Sequence, residues 1–317
     1  MTCILIAGAF ATAGAEELFV AVGEAGRRAS SRDGVVWENE QRWKGDLAAR
    51  HGALLDVAYG DGRFVAVGGG KDFGQILTTR DGSEWVEVLR SSSCVETIAF
   101  GRLATSEPCF VAMRGSELLH SADGVRFVAG EKLALRGEIH ARRSAFGDTE
   151  AGRRFVIVGD VAGEGAPASW RAVTPDGRTF SSTEVHTASA RDVAHGAGRF
   201  VVVGSRGLIE SSHDGETWTR HRVPSADDFG RVIWTGARFL VSSGKAGWTS
   251  PDGIAWTREA GTAPGNVIWG AESASPGSLR LFSIAPNGAL HRSARGEEWE
   301  PVALGSAPSW KSVASAE

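Results

Sequence analysis

The 317-residue chain contains one tyrosine, two methionines and three cysteines. Cys3, Cys94 and Cys109 cannot all pair within one chain, and none sits in a C-x-x-C knuckle. A disulfide framework and a cysteine metal site are thus disfavoured, and packed free thiols are expected. Neither sign of charge dominates: 34 Lys and Arg stand against 38 Asp and Glu, for a formal net charge of −4. Without a basic field, nucleic acid is not an expected partner. No long apolar stretch repeats at the helical period of about 3.6 residues, which argues against a helical core.

What the chain does contain points to strands. It has 42 glycines, 11 tryptophans and 14 phenylalanines, set among alternating Val and Ile. That mixture fits short strands joined by tight turns. One string recurs along the chain: SRDGVVW (Ser31–Trp37), TRDGSEW (Thr79–Trp85), SADGVRF (Ser121–Phe127), TPDGRTF (Thr174–Phe180), SHDGETW (Ser212–Trp218), SPDGIAW (Ser250–Trp256) and SARGEEW (Ser293–Trp299). The seven glycines are spaced by about 44 residues on average. Ahead of each copy lies an apolar strand such as RFVAVG at Arg63 or RFVVVG at Arg199, and ahead of that a shorter one such as LDVAYG or RDVAHG. Each unit therefore reads as strands A, B and C, an Asp-Gly turn, and strand D with its aromatic. Four antiparallel strands in a repeat of this length define a β-propeller blade. The expected fold is all-β, a seven-bladed propeller. The Asp-Gly pair is expected to form a two-residue type I′ hairpin, with both central residues at positive φ, and the aromatic to pack between blades.

The repeat resembles the Asp-box or BNR motif of sialidase-like propellers, photosystem II assembly factors and sortilin-type receptors. That motif is S-x-D-x-G-x-x-W. This chain keeps Ser/Thr, Asp, Gly and Trp/Phe in a form one residue shorter, S-x-D-G-x-x-W, and carries Arg295 in place of Asp in the seventh copy. The resemblance implies a propeller. It also brings sialidase chemistry into view, which needs a tyrosine nucleophile with a glutamate, an acid/base aspartate and three arginines. The sole tyrosine, Tyr59, ends a strand A toward the wrong face, and only Arg143 and Arg231 stand on the polar ring described below. Sialidase activity is therefore disfavoured.

The N-terminal run MTCILIAGAFATAGAEE reads as a secretion signal over residues 1–15, although it lacks a Lys/Arg start; the alternative is an innermost first strand at Ile4–Phe10. The C-terminal SVASA (Ser312–Ala316) fits the strand A template, and is expected to pair with LFVAVG at Leu18 and close the ring. Residues 16–317 then form one propeller. A cleaved signal would make the protein secreted or periplasmic with no integral membrane segment; an inner strand would make it cytoplasmic.

In a propeller the D–A and B–C loops share one face and the C–D turns lie on the other, so the Asp-Gly turns are expected away from any funnel. The funnel face comprises D–A loops such as Trp43–Leu55, Lys132–Arg142 and Val223–Gly230, with longer B–C loops at Gly68–Gln75 and Asp160–Trp170. GEGAPASW within the latter suggests a lid or an insertion. At the start of each strand A stands a polar residue: Asp56, Thr97, Arg143, Asp192, Arg231, Asn266 and Ser312. Their mixed signs converge on the axis as a candidate ligand-binding funnel, or as groups that satisfy one another. His51, His140 and His186 fall on loops of the same face and could hold zinc or copper, but no motif joins them. His195 sits at an aromatic strand A position and reads as packing.

The leading expectation is a monomeric, cofactor-free, non-catalytic binding or scaffold module that offers its funnel to a protein or glycan partner. A carbohydrate hydrolase or lyase is the alternative, with Asp56 and Asp192 or Asp227 as the carboxylate pair. A metal enzyme built on the loop histidines ranks third.

Overall fold

A computed structural model describes residues 17–45, 52–163, 168–243, 246–259, 263–272, 279–294, 296, 298–304 and 310–316. The strands form seven four-stranded antiparallel sheets, making a seven-bladed β-propeller. Strands A, B, C and D run outward from the axis in each blade. In chain order the inner A strands are Ala53–Gly60 (blade II), Thr97–Arg102 (III), Glu138–Thr149 (IV), Ala190–Gly196 (V), Arg231–Trp234 (VI), Asn266–Glu272 (VII) and Trp310–Ala316 (blade I). Blade I is thus assembled from both ends of the chain. Trp310–Ala316 pairs antiparallel with Leu18–Gly23, with Phe19 opposite Ser315 and Ala21 opposite Val313. The expected closing strand is in place. The candidate signal segment and Ile4–Phe10 lie outside the described residues. Among those residues no helix is long and apolar enough to cross a membrane.

The core lies between blades. In six blades strand B carries a buried phenylalanine opposite the Ser or Thr that ends strand C: Phe19, Phe64, Phe110, Phe155, Phe200 and Phe239; in blade VII Leu281 takes that place and the buried Phe282 follows it. In blades II to VI the strand A aromatic packs on it, as in Tyr59–Phe64 and Phe100–Phe110, with ring centroids 4.7 Å apart in both pairs. His195 takes the same position against Phe200 at 4.9 Å. The strand A ring of each following blade also lies flat on a glycine: Phe100 on Gly60, Phe146 on Gly101, His195 on Gly147 and Trp234 on Gly196. A Cβ at Gly60 would come within 2.0 Å of the Phe100 ring, so blade spacing at the axis depends on these glycines.

The Asp-Gly turn departs from expectation. Its glycine does adopt positive φ, 73° at Gly82 and 77° at Gly215, but the aspartate does not. In blade I the connection covers residues 32–37, and Trp37 precedes strand D (Glu38–Gln41) rather than belonging to it. Side chains shape the loop in place of a type I′ hairpin. In blade V, Ser212 Oγ accepts the Gly215 N–H at 2.8 Å, and Asp214 Oδ1 accepts the Glu216 and Thr217 N–H groups at 2.8 and 2.7 Å. The Trp218 indole N–H then donates to the Gly215 carbonyl at 3.0 Å. Blade VII keeps the Ser293 and Trp299 contacts to Gly296, at 2.8 and 3.1 Å; Arg295 itself lies outside the described residues. The turn leans on the preceding blade, since a Cβ on Gly215 would meet Val156, and one on Gly253 would meet Val201. The aromatics pack between blades as expected: Trp37 meets Phe282 edge-on at 5.8 Å.

Two loops are shorter than expected. Gly68–Gly70 and Phe73–Gln75 pair with each other, so the B–C connection of blade II is a turn at residues 71–72. In blade IV strand B runs to Ala162 and strand C begins at Ala168. Trp170, expected in a lid, is fully buried and donates to the Asp160 carbonyl at 3.1 Å. Residues 164–167 of that segment are outside the described residues. Cys94 and Cys109 are free thiols, and burial pushes Cys109 up to about 11.

Two outcomes are expected. Deleting residues 310–317 leaves the Leu18–Gly23 edge unpaired, so size-exclusion chromatography should show association, and the cooperative thermal transition should be lost. Backbone N–H donors and the Ser212 hydroxyl hold the Asp214 carboxyl down at about 2, against burial, from the usual 3.8. A depressed carboxyl stabilises the fold above its unfolded value and loses that contribution as pH falls through the folded one. Thermal melts of wild type and Asp214→Asn should therefore differ at pH 5 and converge toward pH 2.

Candidate functional site

The predicted polar ring is found at the axis, largely paired with itself. Asp56 is 3% exposed and gathers partners from three other blades. Thr97 Oγ1 donates to its Oδ2 at 3.0 Å, the Ile98 N–H to the same oxygen at 3.2 Å, and Ser312 Oγ to Oδ1 at 3.0 Å. Arg143 Nη1 forms an ion pair with Asp56 Oδ1. On its other side Arg143 Nε lies 3.3 Å from Asp192 Oδ1. Asp192 is 2% exposed and accepts the Val193 and Val232 N–H groups at 3.0 and 2.9 Å. One guanidinium is thus held between two buried carboxylates, linking blades II, IV and V. Thr97, Asp56 and Asp192 form a floor under the funnel rather than an open wall. Desolvation alone would lower the Arg143 pKa; the two carboxylates outweigh it and raise it. Burial pushes Asp192 up to about 7, with the nearby Asp56 charge adding to the rise and Arg143 opposing it.

Arg231 and Asn266 face open space. They border a cavity of about 560 Å³ shared with Leu55, Glu96, Arg142 and Arg191. A second cavity of about 440 Å³ also includes Arg231 and Asn266, and Lys311 borders both. The two cavities therefore adjoin at Arg231, Asn266 and Lys311.

Of the predicted ring, Arg143, Arg231 and Asn266 line the larger cavity, and half of its wall comes from residues that stand one position before the ring: Leu55, Glu96, Arg142, Arg191, Gly230 and Lys311. The cause is local. The strand A register shifts between Leu54 and Asp56, between Ala141 and Arg143, and between Ala190 and Asp192. A β-bulge leaves one extra residue unpaired and re-aims its side chain. Leu55, Arg142 and Arg191 are these extra residues, and they turn to the funnel while their successors point to the axis. The alternation rule alone could not place them, but their adjacency to the ring was a usable signal.

Most wall charges are occupied. Arg142 Nε meets Asp160 Oδ2 at 2.5 Å, Arg191 Nη2 meets Asp228 Oδ2 at 2.7 Å, and Lys311 Nζ meets Glu24 Oε1 at 3.0 Å. Glu96 accepts from the Ala141 N–H and pairs with His140 Nδ1, both at 2.8 Å; burial raises its pKa. Arg231 is the most loosely held cation of the wall: Nη1 is 3.9 Å from Asp192 Oδ2, and Nη2 donates to the Lys311 carbonyl at 3.3 Å.

The two described loop histidines, His140 and His186, share no partner. His140 pairs with Glu96 and Glu138, and His186 with Glu184, while His51 lies outside the described residues. Among the described residues no group of three or more His, Cys, Asp or Glu could hold a metal ion. Asp56 and Asp192, the carboxylates considered for hydrolysis, both face Arg143.

Ring, blades and central funnel define the protein as a seven-bladed β-propeller. No protein-family model and no curated protein matches the chain. Among solved structures it is similar to YCF48 bound to D1 peptide, at 17% identity over 92% of this chain and 90% of that one, TM-score 0.58. Virginiamycin B lyase from Staphylococcus aureus shares 10% identity over 80% of this chain and 85% of its own, TM-score 0.57. A functionally unknown protein from Desulfotomaculum acetoxidans DSM 771 gives 11% identity, coverage of 95% and 99%, and TM-score 0.66. At these identities the likeness carries the fold alone.

The axial triad leads to a stability expectation. Removing one partner of a buried ion pair leaves an uncompensated charge, at a cost of about 3–5 kcal/mol. Arg143→Ala, which strands Asp56 and Asp192, should lower the urea-unfolding free energy at pH 8 by about that amount.

Proposed function

We propose that this propeller is a non-catalytic binding module whose funnel receives an acidic segment of a protein partner. The observation that carries this reading is Arg231. It is a partly exposed guanidinium whose nearest carboxylate oxygen is 3.9 Å away, and it borders two adjoining cavities together with Asn266 and Lys311. An incoming carboxylate at Arg231 gains a charge-assisted hydrogen bond that Asp192 does not make at that distance. The surrounding wall supplies exchangeable surface ion pairs, individually worth about 0–1 kcal/mol, so a ligand can replace them at little cost.

A peptide fits this wall better than a neutral glycan. The larger cavity is lined by no aromatic ring among the described residues, and Trp310, which borders the smaller one, is only 1% exposed and offers a sugar little face to stack on. The fold is also used by YCF48, whose solved structure holds a D1 peptide. The turns S/T-x-D-G-x-x-W/F support kinship with Asp-box propellers, and here they lean on the neighbouring blade rather than reach the funnel. Hydrolase or lyase chemistry gains nothing from Asp56 and Asp192, both of which are engaged by Arg143.

Fluorescence anisotropy with a tetramethylrhodamine-labelled penta-glutamate peptide tests the reading. Wild type should bind it more weakly as salt rises. Loss of one charge-assisted contact in Arg231→Ala should weaken binding about ten- to a hundredfold. Equal affinity in that variant would refute the placement of the site, and preferential binding of a sulfated oligosaccharide would redirect it to a glycan.

A further inference from the structure

Beneath Arg231 lies a buried acid with which any anionic ligand must interact. We infer that an anionic group seated on Arg231 is bound together with a proton on Asp192, so that the funnel's affinity for an acidic peptide rises as the solution becomes less alkaline. The inference rests on the acidic-peptide reading above, and adds to it how the site is regulated.

Asp192 is surrounded on every packed side. From blade IV, Arg143 Nε approaches its Oδ1 to 3.3 Å, and Asp56 of blade II stands across the same guanidinium. From blade VI, Arg231 Nη1 is 3.9 Å from Oδ2. Strand B of its own blade places Val203 opposite it. Next to it in sequence, Arg191 is turned away to Asp228 at 2.7 Å. Arg143 is already shared with Asp56, which leaves Arg231 as the cation that Asp192 does not divide with a second buried carboxylate.

A carboxylate arriving at Arg231 changes this balance in two ways. It draws the guanidinium toward itself, and it brings a like charge near a desolvated acid. Both favour the protonated form of Asp192. In the free protein burial already holds Asp192 at about 7, so the proton comes directly from solvent in the physiological range. With ligand bound the value lies higher. Between the two values the complex carries a proton that the free protein lacks, and reciprocity requires affinity to increase as pH falls through that window. Below the free value both states are protonated and affinity levels off. Each unit by which the ligand raises Asp192 corresponds to about tenfold in affinity.

The experiment is the same labelled penta-glutamate peptide titrated from pH 8.5 to 6.0 at constant ionic strength. Its glutamates stay ionised across this range. Wild type should bind about tenfold more tightly at pH 7 than at pH 8.5, then reach a plateau. Asp192→Asn, which mimics the neutral acid, should bind with little pH dependence. His140→Gln controls for the titratable histidine at the funnel edge and should retain the wild-type slope. A slope that survives in Asp192→Asn and vanishes in His140→Gln overturns the inference. Should Asp192→Asn not fold, as judged by its thermal melt, calorimetry on wild type decides instead. At pH 7.5, titrations in buffers of different ionisation enthalpy should show net proton uptake on binding, and zero uptake overturns the coupling. Binding without pH dependence overturns the coupling while leaving the acidic-peptide reading intact. No binding at any pH overturns both.

Discussion

At the axis the guanidinium of Arg143 is held between two carboxylates that have almost no contact with water. That arrangement governs much of what surrounds it. Asp56 gathers Thr97 and Ser312 from neighbouring blades, and Asp192 gathers the backbone of blade VI through Val232. Six blades are thereby tied at the floor of the funnel by polar bonds, while the outer parts of the disc are held by apolar packing between strands B and the aromatics. A buried ion network of this kind adds little net stability but is costly to break. Its role here is geometric. It sets where the funnel ends, and it leaves Arg231 at the rim with only a distant carboxylate.

Most of the fold could be read from the chain, because the blade repeat is written in local chemistry. A serine or threonine, an aspartate two residues on, a glycine at positive φ and an aromatic three residues later serve one loop, which recurs in six blades and, with Arg295 in the aspartate's place, in the seventh. The loop's true form was less accessible. SHDGETW is compatible with a two-residue hairpin or with a longer connection, and only the start of strand D at Thr219 distinguishes them. Asp214 satisfies two backbone donors across the wider loop, so positive φ is required of Gly215 alone.

The candidate site was legible to within one residue. Polar positions at the start of strand A do converge on the axis, and the possibility that they satisfy one another describes Asp56, Thr97, Arg143 and Asp192. The wall itself depends on β-bulges at Leu55, Arg142 and Arg191. A bulge has no reliable signature in a single sequence, since it arises from how a strand must bend to enter a crowded centre. Lys311 and Glu24 were hidden for a different reason. They meet only because the two ends of the chain share blade I, so their pairing follows from ring closure and from nothing local to either.

That shared blade also has a consequence in time. Within this propeller Leu18–Gly23 is made long before its inner partner, Trp310–Ala316. Until that strand is made, blade I lacks its axial strand and Asp56 lacks Ser312. Contacts that span nearly the full chain are slow to form, because their loop-closure entropy must be met before any reward is gained. The growing propeller is therefore an open arc with unpaired edges, and becomes a disc only once Trp310–Ala316 has been made. Its most vulnerable period is the nascent one, when holding chaperones have the most to shield.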